Sequence, residues 1–158
     1  MKDQKTWLLA ILFVVGLTAC ATMQSDVKKE PPLPNDVKII PPASELRKDI
    51  AAFSGKWVGA MMGKQASGVA YKVDIILVVE EIHDTWAQVI YSQGDAPRLG
   101  ARYFRQKSKV ISDLKPKIVV EDKNFPDTSF EMKDSNTLEG KRKWRNEIID
   151  TVTMKRAN

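Results

Sequence analysis

The chain holds one histidine and one cysteine, so the chemistry it can assemble is narrow. His83 stands among Glu80, Glu81 and Asp84, the residue types of a metal site or a proton relay. Zinc sites draw on several His or Cys ligands, and this group offers one. Adjacent side chains of a strand point to opposite faces, so the four residues converge only if the backbone turns sharply. Any Ser–His–Asp triad would need the same histidine, and no nucleophile-elbow pattern accompanies it. Gly59 to Lys64 (GAMMGK) carries two glycines and a lysine. Three residues separate the glycines where a phosphate loop has four, and Gln65 stands where Ser or Thr is required. No pair of carboxylates is set apart as glycoside hydrolysis would need. The expectation is a protein that is not an enzyme and carries neither metal nor cofactor.

The densest charge run is Lys141-Arg142-Lys143-Trp144-Arg145. In a strand, Lys141, Lys143 and Arg145 share a face with Glu139, while Leu138, Gly140, Arg142 and Trp144 share the other. If the second face is an interior, Arg142 points inward beside an aromatic ring. A buried charge must be paired. Its partner is then the carboxylate or phosphate of an amphiphile, or an internal Asp or Glu; failing both, the side chain snorkels to a rim. Arg142, Trp144 and Tyr71 are the candidate ligand-binding residues.

These residues need a scaffold, and the pattern from Ser44 onward supplies one. Ser44 is a candidate N-cap, and Leu46, Ile50 and Phe53 follow at helical spacing before Ser54-Gly55. The rest reads as strands: Lys56 to Met62, Val69 to Val79, Trp86 to Ser92, Ala101 to Lys107, Lys117 to Glu121, Thr128 to Met132, Thr137 to Arg145 and Ile148 to Lys155. Val69, Tyr71, Val73, Ile75, Leu77 and Val79 alternate with more polar residues, the period of a strand. Ile76 and Val78 are apolar as well, so this strand is covered on both faces or a bulge shifts its register. About eight closely spaced strands with no long helix between them predict an all-β domain over 44–158. The favoured form is a small antiparallel up-and-down β-barrel with a short N-terminal helix, and a β-sandwich is the alternative. Tyr71, Ile75, Leu77, Trp86, Phe104, Phe130 and Trp144 are candidate interior residues.

Phe53-Ser54-Gly55-Lys56-Trp57 resembles the opening of lipocalins and related calycin barrels, in which a short helical turn precedes Gly-x-Trp on the first strand. The resemblance implies a lipocalin-like barrel. It also implies that Trp57 closes one end, with an arginine from near the last strand packed over it. Arg156 stands where that arginine is expected and can meet Trp57 by a cation–π contact.

Residues 1–19 have the order of an export signal. Lys2 and Lys5 precede the apolar run Trp7 to Leu17, which is 11 residues long and too short for the ~20 residues of a membrane span. Leu17-Thr18-Ala19-Cys20 resembles a lipobox, which implies cleavage before Cys20 and lipidation of that residue, with palmitate among the acyl chains. Multiple chains anchor a protein stably. Ala21, rather than aspartate, implies an outer-membrane lipoprotein facing the periplasm or the cell surface. Residues 20–43 then form a tether. Thr22 to Pro42 contains five of the eight prolines and no aromatic residue, so it should stay extended or disordered. At about 3.1 Å per residue it would span roughly 65 Å.

The net charge of +5 weakly favours anionic partners such as lipid headgroups. An exported, membrane-tethered chain is no match for nucleic acid. The leading expectation is a binding module whose barrel holds or carries a small amphiphile or lipid. The alternative is a non-catalytic assembly lipoprotein that docks another envelope protein. Eight-stranded barrels are just wide enough to be filled by side chains or to hold one small ligand, and that choice separates the two.

Overall fold

The computed structural model describes residues 30–65, 67–95, 100–122, 125–144 and 147–157. The signal-like segment, Cys20, the first ten residues of the tether and Arg145 lie outside the described residues. One short helix, α1 (Lys48–Ala51), precedes eight strands. These are β1 (Gly55–Lys64), β2 (Ala70–Ile82), β3 (Trp86–Gln93), β4 (Arg102–Ile111), β5 (Lys117–Asp122), β6 (Phe125–Asp134), β7 (Thr137–Lys143) and β8 (Ile149–Ala157). Each pairs antiparallel with the next, and β8 pairs with β1, so the sheet closes into a barrel. The closing ladder runs from Lys56 opposite Ala157 to Met62 opposite Thr151. That ladder excludes the sandwich alternative and leaves no strand edge unpaired along it.

Strand alternation decides what fills the interior. On β8, Asp150, Val152 and Met154 are buried while Ile149, Thr151 and Thr153 are exposed. On β7, Leu138, Gly140 and Arg142 are buried between exposed Glu139, Lys141 and Lys143, as the charge run predicts. The inward set joins into one core with Trp57, Met61, Ile75, Leu77, Val89, Tyr91, Ile118, Phe130 and Met154 among its members. Each fully buried large side chain contributes about 1.5–3 kcal/mol relative to exposure.

β2 is buried on both faces from Ile75 to Glu80. Both readings of its double apolar pattern apply. The register shifts between Val79 and Glu81, a bulge that releases the backbone of Glu80 from the ladder. The outer face is covered, because Ile76, Val78 and Ile90 form a second apolar cluster with Leu33, Val37 and Val58. Residues 30–42 thus form a strap across the outer wall, where the sequence predicts a free spacer. Ser92 Oγ donates to Pro32 O at 2.5 Å. Arg105 binds both carboxylate oxygens of Asp36. Lys38 N–H donates to Glu80 Oε1 and Ile40 N–H to Glu80 O. Composition argued for disorder because prolines and charges dominate. The few apolar residues, Leu33 and Val37, instead found an apolar patch on the wall, and the bulge offered acceptors for the backbone.

Two smaller expectations are corrected. The helix spans only Lys48–Ala51 with Arg47 at its N-cap. Ser44 does not cap it: its hydroxyl meets Glu45, and Arg47 adopts extended ψ 131° while its guanidinium binds Asp49 and Ser112 O. Trp86 faces outward rather than into the barrel, since the inward residues of β3 are Ala87, Val89, Tyr91 and Gln93. Its ring is covered by His83, stacked at 4.1 Å, and by Lys107 Nζ at 3.9 Å.

Candidate functional site

The two ends of the barrel are built differently. At one end α1 folds under the start of β1. Trp57 is fully buried there and donates from Nε1 to Phe53 O at 2.8 Å. The Arg156 guanidinium lies 4.1 Å from the Trp57 ring. It donates to Ser54 O at 2.7 Å and Ala52 O at 2.6 Å, carbonyls left without helical partners where the helix ends. Gly55, at φ +118°, lets the chain turn into β1, and a Cβ there would come within 2.9 Å of Arg156 Nη1. Burial lowers the Arg156 pKa, but a guanidinium stays charged. The structure thus brings Trp57 and Arg156 together and shuts this end.

At the other end stand the last residues of β1, β3 and β7 and the first residues of β2, β4 and β8. Their inward side chains are polar. Arg142 is buried at 5% exposure. Its Nη2 donates to Tyr91 Oη at 2.5 Å and its Nε to Thr128 Oγ1 at 3.1 Å. The guanidinium carbon is 5.7 Å from the Tyr91 ring and 6.0 Å from the Trp144 ring. Across the ladder from Arg142 stands Asp150, fully buried. Asp150 Oδ2 accepts from Tyr71 Oη at 2.5 Å and from Trp144 Nε1 at 2.6 Å. A Cβ at Gly63 would fall 2.0 Å from Asp150 Oδ1 and 2.6 Å from the Tyr71 ring, so only glycine leaves room for that carboxylate. Tyr91 stacks on Phe104 at 5.3 Å, and Gln93 lines the same rim at 3% exposure.

Both phenols remain protonated at neutral pH. Burial, then the hydrogen bond to Asp150, pushes the Tyr71 pKa far above its ordinary 10.0. Burial raises that of Tyr91 against the opposing pull of Arg142. Tyr91 therefore accepts from Arg142 and keeps a proton to donate onward. Two buried atoms, Asp150 Oδ1 and Gln93 Nε2, have no hydrogen-bond partner among the described residues.

The structure gathers the three residues that the sequence singles out for a ligand. Arg142, Trp144 and Tyr71 belong to one cluster at the mouth, linked through Asp150. Sequence reading missed Asp150 and Tyr91. The parity of β8 carries a signal for Asp150, because Asp150, Val152, Met154 and Arg156 share one face and charges stand at both of its ends. His83 lies apart at the closed end, paired with Glu81 at 2.9 Å, while Glu80 turns to Arg105 on the outer wall. Among the described residues, no group of three or more His, Cys, Asp or Glu is placed to hold a metal ion.

These features define the class: a closed, eight-stranded antiparallel β-barrel with one plugged end and one polar mouth. No family model matches the chain, and no curated protein does. Among solved structures, a redesigned β-barrel aligns with a TM-score of 0.49 at 11% identity, over 73% of this chain and 100% of that one.

Proposed function

We propose that this protein is a lipid-anchored envelope protein whose barrel mouth holds the polar head of a small amphiphile. The observation that carries the reading is the bonding of Arg142. A buried guanidinium needs acceptors, and those of Arg142 include two side-chain hydroxyls, of Tyr91 and Thr128. Hydroxyls rotate and also donate, so an anionic oxygen can enter beside Arg142 while Tyr91 turns its proton toward it. Gln93 Nε2 and Asp150 Oδ1 add a donor and an acceptor on the same rim. Buried polar atoms of this kind ordinarily have partners. The lipobox-like Leu17-Thr18-Ala19-Cys20 supports lipidation at Cys20. Ala21 supports the outer membrane. The α1–Gly55–Trp57–Arg156 arrangement supports a lipocalin-like lineage.

A second reading is a non-catalytic assembly lipoprotein that docks another envelope protein. It is favoured by how much of the lower barrel side chains occupy: Trp57, Phe53, Phe130, Leu138 and Met154 are all fully buried. Native mass spectrometry of the gently purified protein, followed by solvent extraction, separates the two. A stoichiometric amphiphile that disappears in Arg142→Met, with an unchanged circular-dichroism spectrum, supports binding at the mouth. A clean apo mass that persists after incubation with fatty acids and phospholipids sinks it.

A further inference from the structure

The strap changes what the tether can do. A spacer from Cys20 to Pro42 could hold the barrel far from a bilayer. With residues 30–42 bound to the wall, only residues 20–29 stand between the proposed lipid anchor and Glu30. Ten residues reach at most about 31–35 Å. Glu30 is placed on β1, 3.7 Å from Lys56 Nζ, and Pro32 is placed on β3 at Ser92, opposite Ile76. From Lys56, where the tether meets the wall, to the end of β1 at Lys64 is eight residues, or roughly 26 Å along the strand. A tether of this length lets the rim reach the membrane, and the surface of the rim decides whether it stays there.

The rim has the surface for such contact. Met62, Val69 and Ile149 are 49%, 59% and 54% exposed. Met62 lies on β1, Ile149 on the neighbouring β8, and Val69 in the turn just before β2, on the other side of β1. Met62 stands opposite Thr151 on one side and Lys72 on the other. Gln65 N–H binds Val69 O at the hairpin tip. Continuing the β1–β8 register past Met62 brings Asp150 to Gly63 and Ile149 to Lys64. Met62 and Ile149 are thus interleaved with Lys64 and Lys72 on one outward-facing stretch, and Val69 is exposed at the adjoining hairpin tip. Such a mixture suits a bilayer interface, where apolar groups enter the headgroup boundary and lysines meet anionic lipid.

We infer that the barrel docks mouth-first on the bilayer to which it is anchored, with Met62, Val69 and Ile149 in the headgroup region and Lys64 and Lys72 on anionic lipid. The inference rests on the lipid anchor of the preceding reading and not on amphiphile carriage. In this pose the polar cluster of Arg142 faces lipid rather than bulk solvent.

The test uses the full lipidated protein in vesicles of phosphatidylethanolamine and phosphatidylglycerol at three to one. With Cys20 acylated, a single introduced cysteine takes a spin label. Labels go on Val69→Cys at the mouth and on Leu114→Cys, which is fully exposed in the turn after β4, at the closed end. The expected result is at least a threefold lower collision rate with an aqueous relaxant at 69 than at 114. Adding Met62→Asp and Ile149→Asp should restore most of the lost accessibility at 69. Equal accessibility at the two sites, or protection at 114 alone, overturns the inference while leaving the anchor intact. A mature chain that lacks acyl groups on Cys20 and does not float with vesicles overturns both. Protection at 69 in a chain that retains no amphiphile upholds docking and removes amphiphile binding.

Discussion

Each end of this barrel seats an arginine beside aromatic rings, and the two arginines are held in opposite ways. Arg156 donates to backbone carbonyls at Ser54 and Ala52 while stacked on Trp57. Those acceptors cannot rotate away, so the contact is a lock. Arg142 donates to the hydroxyls of Tyr91 and Thr128, which can turn and re-pair. Burial alone does not make an arginine a binding residue. The mobility of its acceptors decides whether something else can compete for it.

The largest expected effect lies at the lock. Trp57→Ala should lower stability by about 3–5 kcal/mol, as for other large core truncations, measured by chemical denaturation. A loss below 1 kcal/mol would mean that the closed end is not what holds the barrel shut.

The next prediction sets the arginines against each other. Arg156→Met strands two carbonyls and should cost about 1–3 kcal/mol. Arg142→Met leaves hydroxyls that can bond to each other or to water. It also leaves the fully buried Asp150, its cross-strand neighbour, without that cation, and removing one member of a buried charged pair is strongly destabilising, so a loss of about 3 kcal/mol is expected there. The amphiphile adduct should vanish in the second variant and persist in the first. An adduct that survives Arg142→Met, or is lost in Arg156→Met, would erase the distinction between lock and site.

Gly63→Ala tests the mouth without removing a polar group. The new methyl would meet Asp150 and the Tyr71 ring, an overpacking that typically costs about 1–3 kcal/mol. Because Tyr71 would be pushed off Asp150, its phenol should titrate closer to 10 by ultraviolet difference spectroscopy.

Alkaline pH probes the same contact more gently. The folded pKa values of Tyr71 and Tyr91 lie above the ordinary 10.0. Below pH 10 both states keep these phenols neutral and the stabilisation is complete. Above it the unfolded chain ionises first, so stability falls as pH rises through the folded values. Tyr71→Phe with Tyr91→Phe should flatten the decline, and an unchanged slope would place its origin elsewhere.

The smallest effect belongs to the strap. Asp36→Asn removes an exposed ion pair with Arg105, and the melting temperature should barely move. Amide exchange at Lys38 and Ile40 should quicken, since both donate to Glu80. The Asp36 carboxyl is held below its ordinary 3.8 by Arg105. Its contribution is therefore fully present above the ordinary 3.8 and lost as pH falls below it through the lower folded value.

Local patterns determined a good deal. Period-two alternation in β2, β7 and β8 marked strand character and set Arg142 on the face opposite Lys141 and Lys143, while burial showed that face to be the inward one. The resemblance of Phe53 to Trp57 to a lipocalin opening implied the plugged end and the pairing of Trp57 with Arg156. Other features depended on residues far apart in sequence. Closure needed β8 to find β1, and alternation alone serves a sandwich equally well. Asp150 became Arg142's cross-strand neighbour only through the β7–β8 register, and its carboxylate fits only because Gly63 on β1 has no side chain. Proline and charge made residues 30–42 read as a free spacer. They became part of the fold because the outer wall of β2 and β3 presented an apolar patch and a bulge with unpaired acceptors, a surface that exists only once the barrel has formed.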